Sequence, residues 1–201
     1  MKNNFKTLFI AALTAFMAVG CVDDDDTKLA FYDVLPLYQD FDAGTDESPI
    51  LTPGWLPYTE IGSTKWTQQI YQDNGYAEFN PFKSGNDVNI GWLISPKFEL
   101  AAGHARKFKF QSAQSYVTTP NNKLEVFISS DFDGTNVAAA TWTKLDATIA
   151  QPGSKNFAFV KSGDINISAF SGSLNVAFKV TGSGTDGNLD GAYQIDKVAI
   201  F

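Results

Sequence analysis

Leu174-Asn175-Val176-Ala177-Phe178-Lys179-Val180 decides the fold, because large apolar side chains occupy every second position of this stretch. Successive side chains of a β-strand point to opposite faces, so these residues predict a strand with one face in a core. Lys107-Phe108-Lys109-Phe110 repeats the alternation, with the aromatic rings on one side and the lysines on the other. Leu124, Val126 and Ile128 repeat it again. Period-two alternation of this kind predicts half-buried strands.

Further strands are predicted along the chain, separated by turn residues such as Asp133-Gly134 and Ser171-Gly172. No stretch of the mature chain has convincing helical periodicity. Short strands with frequent turns predict one all-β domain at residues 37–201, a jelly-roll β-sandwich of two antiparallel sheets. The other predicted strands cover 37–42, 66–71, 76–79 and 91–95, with a long loop at 43–65 and a turn at Asn74-Gly75.

The last predicted strand, residues 193–201, changes phase along its length. Tyr193 and Ile195 fall in one phase, whereas Val198 and Ile200 fall in the other. This change predicts either a β-bulge near Asp196 or burial on both faces of the strand. If Asp196 shares the inward side of Val198 and Ile200, its carboxylate requires a partner such as a cation or backbone N–H groups.

Composition and charge limit the functions that are open to the chain. Apolar residues make up 44% and charged residues 18%, which indicates a folded domain and not a disordered chain. The formal net charge is −7, and removal of Lys2 and Lys6 with the leader described below makes it −9. An acidic chain has no basic surface to replace the counterions of phosphates, so a nucleic-acid partner is not expected.

Residues 1–20 are typical of an export signal peptide. Lys2 and Lys6 precede Leu8–Val19, an uncharged run that is too short to span a bilayer comfortably. Ala18-Val19-Gly20-Cys21 is typical of a lipobox, with small residues before the cysteine that receives the lipid. Cys21 is the only cysteine, so the chain cannot form an internal disulfide. We therefore predict a lipoprotein that is anchored through Cys21.

Residues 21–36 form the predicted tether between the lipid and the domain. Asp23 to Asp26 carry like charges that repel one another and keep this segment extended. An acidic run just after the lipidated cysteine resembles tags that send some Gram-negative lipoproteins to the outer face of the outer membrane. The alternative interpretation is a solvated spacer.

Several short segments, in their order along residues 37–201, resemble the choice-of-anchor J family. This family is similar to cleaved-adhesin and MAM-type domains, and the resemblance implies a jelly-roll β-sandwich on a secreted or cell-surface protein. Function still has to be argued from a site. The segments are Phe41-Asp42, Gly54-Trp55, Trp92-Leu93-Ile94-Ser95-Pro96, 124–134, Thr141-Trp142 with Leu145, 162–168, 176–180 and 193–198.

The resemblance also implies a structural calcium site that joins the first and last strands. The positions that match are Asp42 and Asp196, with Asp40 as an additional candidate ligand. Calcium requires several oxygen ligands, including backbone carbonyls. Asp42 stands where the family commonly has the longer Glu. The alternative interpretation is that these are ordinary solvated or hydrogen-bonded carboxylates.

Aromatic residues in or beside loops suggest a carbohydrate platform, because exposed rings can stack on the faces of sugars. Each ring has the alternative of packing in the core, and Trp92 and Trp142 are interpreted as core residues because they match framework positions of the family. The candidates for ligand contact are Trp55, Trp66, Tyr71, Tyr76 and Tyr116.

No sequence motif points to catalysis. The single histidine, His104, lies in a predicted surface turn, and neither a Gly-x-Ser-x-Gly nor a His-Glu-x-x-His motif occurs. We therefore expect a non-catalytic surface lipoprotein whose adhesin-like or carbohydrate-binding-module-like domain binds a glycan or a surface protein. The alternatives are an assembly component without a small ligand and, more remotely, a hydrolase with converging carboxylates.

Overall fold

The structure is a computed structural model that describes residues 35–101 and 106–201. Within these ranges the chain forms strands and loops, and no helix is present that could cross a membrane. The strands are β1 (Leu37–Gln39), β2 (Ser48–Pro49), β3 (Leu56–Ile61), β4 (Trp66–Tyr71), β5 (Asn74–Phe79), β6 (Asn89–Ile94), β7 (Phe98–Leu100), β8 (Lys107–Ser115), β9 (Lys123–Ser129), β10 (Thr143–Lys144), β11 (Val160–Lys161), β12 (Ile165–Asn166), β13 (Gly172–Gly182) and β14 (Ala192–Ile200).

The strands form two antiparallel sheets. Sheet I has the order β11-β8-β14-β5-β4-β2, with β1 also paired to β14 and β12 also paired to β8. Sheet II has the order β10-β9-β13-β6-β3, with β7 also paired to β13. The chain crosses between the sheets repeatedly, and each sheet buries one face against the other. This architecture confirms the predicted all-β sandwich.

The core lies between the two sheets and contains the alternating residues of the sequence. Phe108 and Phe110 on β8 meet Phe178 on β13, with ring centroids 4.9 Å apart for Phe110 and Phe178. Leu174 and Val176 are also fully buried in this cluster. Burial of such side chains stabilises the fold by about 1.5–3 kcal/mol each. The period-two prediction is confirmed for β8, β9 and β13.

The segment 43–65 is not one long loop, so that prediction is wrong. It contains β2 and β3, and β3 forms the free edge of sheet II. Proline is tolerated in an edge strand, because no further strand needs its missing N–H group. Pro57 therefore lies within β3, opposite Leu93 of β6.

The turn before β5 lies two residues earlier than predicted. Gln72 and Asp73 form it, with φ values of 49° and 62°. Asn74 and Gly75 are already part of β5, where Asn74 pairs with Tyr71 of β4. The Asn-Gly pair is typical of such turns, but here it is used inside a strand.

A β-bulge in β14 explains the change of phase in the last strand. Asp196 pairs with Gln111 and Ala199 pairs with Lys109, so two residues of β14 oppose one residue of β8. Lys197 is the extra residue and has a φ of 49°. The bulge confirms one of the two predicted alternatives. It also turns Asp196 to the outer face of sheet I, so Asp196 does not share the inward side of Val198 and Ile200.

Trp92 and Trp142 pack together outside the main core. Their ring centroids are 5.4 Å apart in a second cluster on the outer face of sheet II, which also contains Phe132. Trp92 donates to Glu60 at 2.6 Å, and the Lys179 ammonium lies 4.6 Å from its ring centroid. The expectation of core packing is therefore met in this outer cluster and not between the sheets.

Candidate functional site

The outer face of sheet I carries a groove lined by aromatic and polar side chains. Alternation in β5 directs Ala77 and Phe79 into the core, and Tyr76 and Glu78 to the outside. The groove consists of two adjoining cavities of about 630 and 810 Å³ that share Gln69, Tyr76 and Phe157. We call them the Glu78 compartment and the Tyr71 compartment. The Glu78 compartment is lined by Gln69, Tyr76, Glu78, Asn80, Phe82, Ser115, Tyr116, Phe157, Asp190 and Ala192. The Tyr71 compartment is lined by Asp46, Gln69, Ile70, Tyr71, Gln72, Asn74, Tyr76, Lys155, Asn156, Phe157 and Phe159.

The loop between β10 and β11 forms one wall of the groove and is held against β8. The Phe157 N–H donates to the Gln114 carbonyl at 2.8 Å, and the Tyr116 N–H donates to Asn156 Oδ1 at 3.0 Å. Tyr116 and Phe157 meet edge to face with centroids 6.4 Å apart. These contacts hold both exposed rings at the rim of the groove.

Glu78, which lines the Glu78 compartment, is hydrogen-bonded to Gln194 of the neighbouring strand, which does not itself line the compartment. Gln194 of β14 donates through Nε2 to Glu78 Oε2 at 2.7 Å and contacts Ser115 Oγ at 3.2 Å. Gln194 is fully buried, and its Oε1 atom finds no hydrogen-bond partner in the described part of the chain. An unpartnered buried acceptor is costly to the folded state.

Burial also affects the acidity of Glu78. Loss of hydration raises the pKa of the Glu78 carboxyl, and the hydrogen bonds from Gln194 and Asn80 offset this rise only in part. Buried carboxylates behave in this way when no cation is near to stabilise the charge. Both oxygens of Glu78 accept a hydrogen bond from an amide, but no cationic side chain of the described residues pairs with Glu78.

Three of the five aromatic candidates line the groove, and two do not. Tyr71 and Tyr116 are 65% and 69% exposed, and Tyr76 is half-buried between them. Trp55 and Trp66 are only 7% and 1% exposed in the main core, so their prediction as ligand contacts is corrected. Their position in the sequence near loops did not show that their rings point between the sheets.

Phe157 and the polar pair Glu78–Gln194 were missed by the sequence analysis. Phe157 is half-exposed in a loop with a φ of 61°, and an exposed Phe among turn residues was the one available signal. Glu78 and Gln194 are 116 residues apart and meet only through the pairing of β5 with β14. No local pattern could have indicated that contact.

A second feature of sheet I is a notch where β14 changes partners. β14 pairs with β5 up to Ile195 and with β1 from Val198, so Asp196 lies at the gap between β1 and β5. Asp196 is 1% exposed and accepts from the Lys197 N–H at 2.6 Å and from Asn74 Nδ2 at 3.3 Å. Asp42 accepts from the Gly75 N–H at 2.7 Å on the other side of the notch.

The calcium site at Asp40, Asp42 and Asp196 stays a prediction. Burial raises the pKa of Asp196, and the nearby Asp42 charge raises it further. Asp42 and Asp196 each accept a hydrogen bond from the start of β5, from Gly75 and Asn74 respectively. Asp40 Oδ1 instead accepts from the Asp42 N–H at 3.3 Å. No three acidic, His or Cys side chains of the described residues group as metal ligands, so a calcium ion would depend on additional carbonyl and amide oxygens.

Cys21 and His104 lie outside the described residues, as do the leader and most of the tether. Lipidation, the leader boundary and the location at the outer membrane therefore stay predictions.

The sequence profile described as "Domain of unknown function (DUF5017)" matches residues 74–197, which is more than half of the chain. The chain belongs to the DUF5017 family. The match spans β5 to the bulge of β14, and so includes Tyr76, Glu78 and Gln194. No curated protein sequence matches the DUF5017 chain.

Solved structures resemble the fold of the DUF5017 chain. The K1 cleaved adhesin domain of Lys-gingipain from Porphyromonas gingivalis W83 has a TM-score of 0.51 at 18% identity, covering 82% of this chain and 96% of that chain. The K2 cleaved adhesin domain of Lys-gingipain has a TM-score of 0.53 at 12% identity, covering 82% and 97%. The CBM22-2 xylan-binding domain of Paenibacillus barcinonensis Xyn10C has a TM-score of only 0.46 at 13% identity, covering 82% and 98%. At such identities the likeness to the two cleaved adhesin domains shows a shared β-sandwich and nothing finer.

Proposed function

We propose that the DUF5017 domain is a non-catalytic binding module that holds a glycan in the groove of sheet I. The observation that carries the proposal is the convergence of Tyr71, Tyr76, Tyr116 and Phe157 on one groove that is also lined by polar side chains. Sugar rings present C–H groups to aromatic faces and hydroxyl groups to polar atoms. The groove offers both kinds of contact, and its exposed rings are already held in place by the loop before β11.

The cellular setting of this proposal follows from the sequence. An N-terminal leader with a lipidated Cys21 would anchor the module to the outer membrane, facing outside the cell. The finer resemblance to choice-of-anchor J domains agrees with an adhesin-like role. A surface protein is the alternative occupant of the groove, and an assembly component without a small ligand is the alternative function.

A glycan array probed with the purified full chain tests the proposal, followed by calorimetry on the hits. Tyr116→Ala and Phe157→Ala should each weaken binding about 5- to 30-fold, which corresponds to about 1–2 kcal/mol per ring. Tyr38→Ala is the matched control, because Tyr38 is an exposed tyrosine of sheet I that lies outside the groove. If no glycan binds, or if the control weakens binding equally, the glycan proposal is wrong.

Glycoside hydrolysis is the second candidate, because Glu78 and Asp190 line the same compartment. Glycosidases use two carboxyl groups that flank the scissile bond, one of them with a raised pKa. Glu78 accepts a 2.7 Å hydrogen bond from Gln194, which fits a carboxylate that binds a ligand as well as one that acts as an acid. We expect no new reducing ends when the hits are incubated with the protein, and their appearance would favour the hydrolase.

A further inference from the structure

The charged side chains that line the Glu78 compartment are all acidic. Glu78 and Asp190 both line it, and none of its described lining residues is Lys, Arg or His. Neither carboxylate takes part in an ion pair within the part of the chain that the structure describes. Lys83 Nζ lies 4.7 Å from the ring centroid of Phe82, which is part of the wall. Lys83 itself does not line the compartment.

The carboxylate oxygens of Glu78 and Asp190 are the strongest hydrogen-bond acceptors that line this compartment. Gln194 Nε2 is already used by Glu78 and Ser115, whereas Gln194 Oε1 is buried and unpartnered among the described residues. Gln69 Nε2 is directed to Thr67 Oγ1 at 3.2 Å. The hydroxyl groups of the lining can donate as well as accept, so it is the two carboxylates that favour a ligand group with hydrogen-bond donors and a positive charge.

The aromatic rings of the compartment also favour a cation. Tyr76, Tyr116 and Phe157 line the same compartment as the two carboxylates. Cations are attracted to aromatic faces by the ring quadrupole, and the attraction is larger where water is partly excluded. An ammonium group carries three N–H donors and one positive charge, so it matches the acceptors, the carboxylates and the rings together.

We infer that the Glu78 compartment binds the free ammonium group of an amino sugar, so that the glycan of the groove is one that is not fully N-acetylated. This inference rests on the proposed function and names the ligand class of the same groove. Acidic sugars such as uronates are disfavoured, because Glu78 and Asp190 would repel them.

Isothermal titration of the full chain with three oligosaccharides of equal length tests the inference. The probes are a glucosamine oligomer with free amines, its fully N-acetylated form and a neutral glucose oligomer. The titrations are run about one pH unit below the pKa of the amine. We expect the amine form to bind at least 10-fold more tightly than the other two, with a preference that shrinks as salt is added.

Variants separate charge recognition from ring stacking. Glu78→Gln should reduce the preference for the amine to below about 3-fold. Tyr116→Ala should weaken all three ligands, the amine most, because the amine also loses a cation–π contact. Asp164→Asn is the matched control, because Asp164 is an exposed carboxylate that is paired with Lys107 outside the groove. Circular dichroism of each variant verifies that it is folded.

The outcomes distinguish the inference from the proposed function. Equal or tighter binding of the N-acetylated or neutral oligomer overturns the ammonium inference and leaves glycan binding in place. A preference for the amine that survives in Glu78→Gln also overturns it. Failure of all three probes, together with a silent glycan array, overturns both.

Discussion

Replacing Gly75 with alanine should force β5 apart from the segment that follows β1. The Gly75 N–H donates to Asp42 Oδ1 at 2.7 Å, so the two segments are in direct contact. A Cβ atom added at Gly75 would lie closest to the Phe41 carbonyl oxygen, 2.6 Å from the Phe41 carbonyl carbon and 2.8 Å from Asp42 Cα. All three atoms are backbone, so no flexible side chain can move aside, and the segment itself has to shift.

The expected cost has two sources. Overpacking that moves backbone costs about 1–3 kcal/mol. The Phe41 carbonyl also accepts from Gln68 Nε2 at 2.7 Å, and weakening this bond and the Gly75 bond to Asp42 adds about 1 kcal/mol. A total of about 2–4 kcal/mol corresponds to a fall in Tm of about 5–12 °C for a domain of this size.

Thermal and urea unfolding of the full chain measure this change. Gly187→Ala is the control, because the nearest atom to an added Cβ there is Asp190 Oδ2 at 4.0 Å. The control should remain within about 0.5 kcal/mol of the unsubstituted protein. If Gly75→Ala is equally stable, the close approach of β5 to the Phe41–Asp42 segment does not exist as described.

Two further predictions concern the buried carboxylates. Burial raises the pKa of Glu78 and of Asp196, so the folded protein holds these protons more tightly than the unfolded chain. The stability that they contribute is present below their unfolded pKa values of about 4 and is lost as the pH rises through the raised folded values. Urea unfolding between pH 4 and 7 should therefore show a smaller pH dependence in Glu78→Gln than in the unsubstituted protein, and an unchanged slope would contradict the burial of Glu78. If calcium occupies the notch, a chelator should lower the Tm. The free energy of unfolding should fall by about 2.7 kcal/mol when the free ion was at 100 times its Kd. Asp196→Asn should abolish that response, and a Tm that never depends on calcium removes the metal site.

The sequence was sufficient for the sandwich because alternation is a local property. Phe108 and Phe110, or Val176 and Phe178, point the same way in any extended strand, and each pair is buried as predicted. β3 was missed because its Pro57 resembles a loop residue. Only the position of β3 at the edge of sheet II, a long-range property, makes that proline acceptable.

The groove could be predicted only in part, for the same reason. A position beside a loop suggested Tyr71, Tyr76 and Tyr116 as ligand contacts, and all three line the groove, because loops and strand ends lie at the surface. Trp66 also lies beside a loop, but it begins β4 on its inward face and is buried in the core. Whether a ring at a strand end points in or out depends on the register with strands far away in the sequence. The contact of Gln194 with Glu78 could not be predicted for this reason, since it depends on the pairing of β14 with β5.

The bulge at Lys197 follows the two outward residues of β14 that lie near the groove and in the notch. Deletion of a residue there should have a different effect from deletion at an ordinary strand position. Gln194 and Asp196 both face outward, one under the groove and the other in the notch, and the extra residue then returns Val198 and Ile200 to the core. Deleting Lys197 would leave the alternation regular, because Val198 would simply follow Asp196 as the next inward residue. It would also remove a left-handed backbone conformation that costs a non-glycine residue about 1–2 kcal/mol.

We therefore expect the Lys197 deletion to fold cooperatively and to change mainly the notch, because the Asp196 carboxylate loses the Lys197 N–H. Deleting Lys179 from the unbulged β13 is the matched control. That deletion turns Val180 from the core to the outer face and should prevent cooperative folding. Urea unfolding followed by circular dichroism compares the two variants. If the Lys197 deletion unfolds as completely as the Lys179 deletion, the pairing of Asp196 with Gln111 and of Ala199 with Lys109 is wrong. The outward placement of Gln194 and Asp196, on which the Glu78–Gln194 contact and the notch both depend, would then be wrong as well.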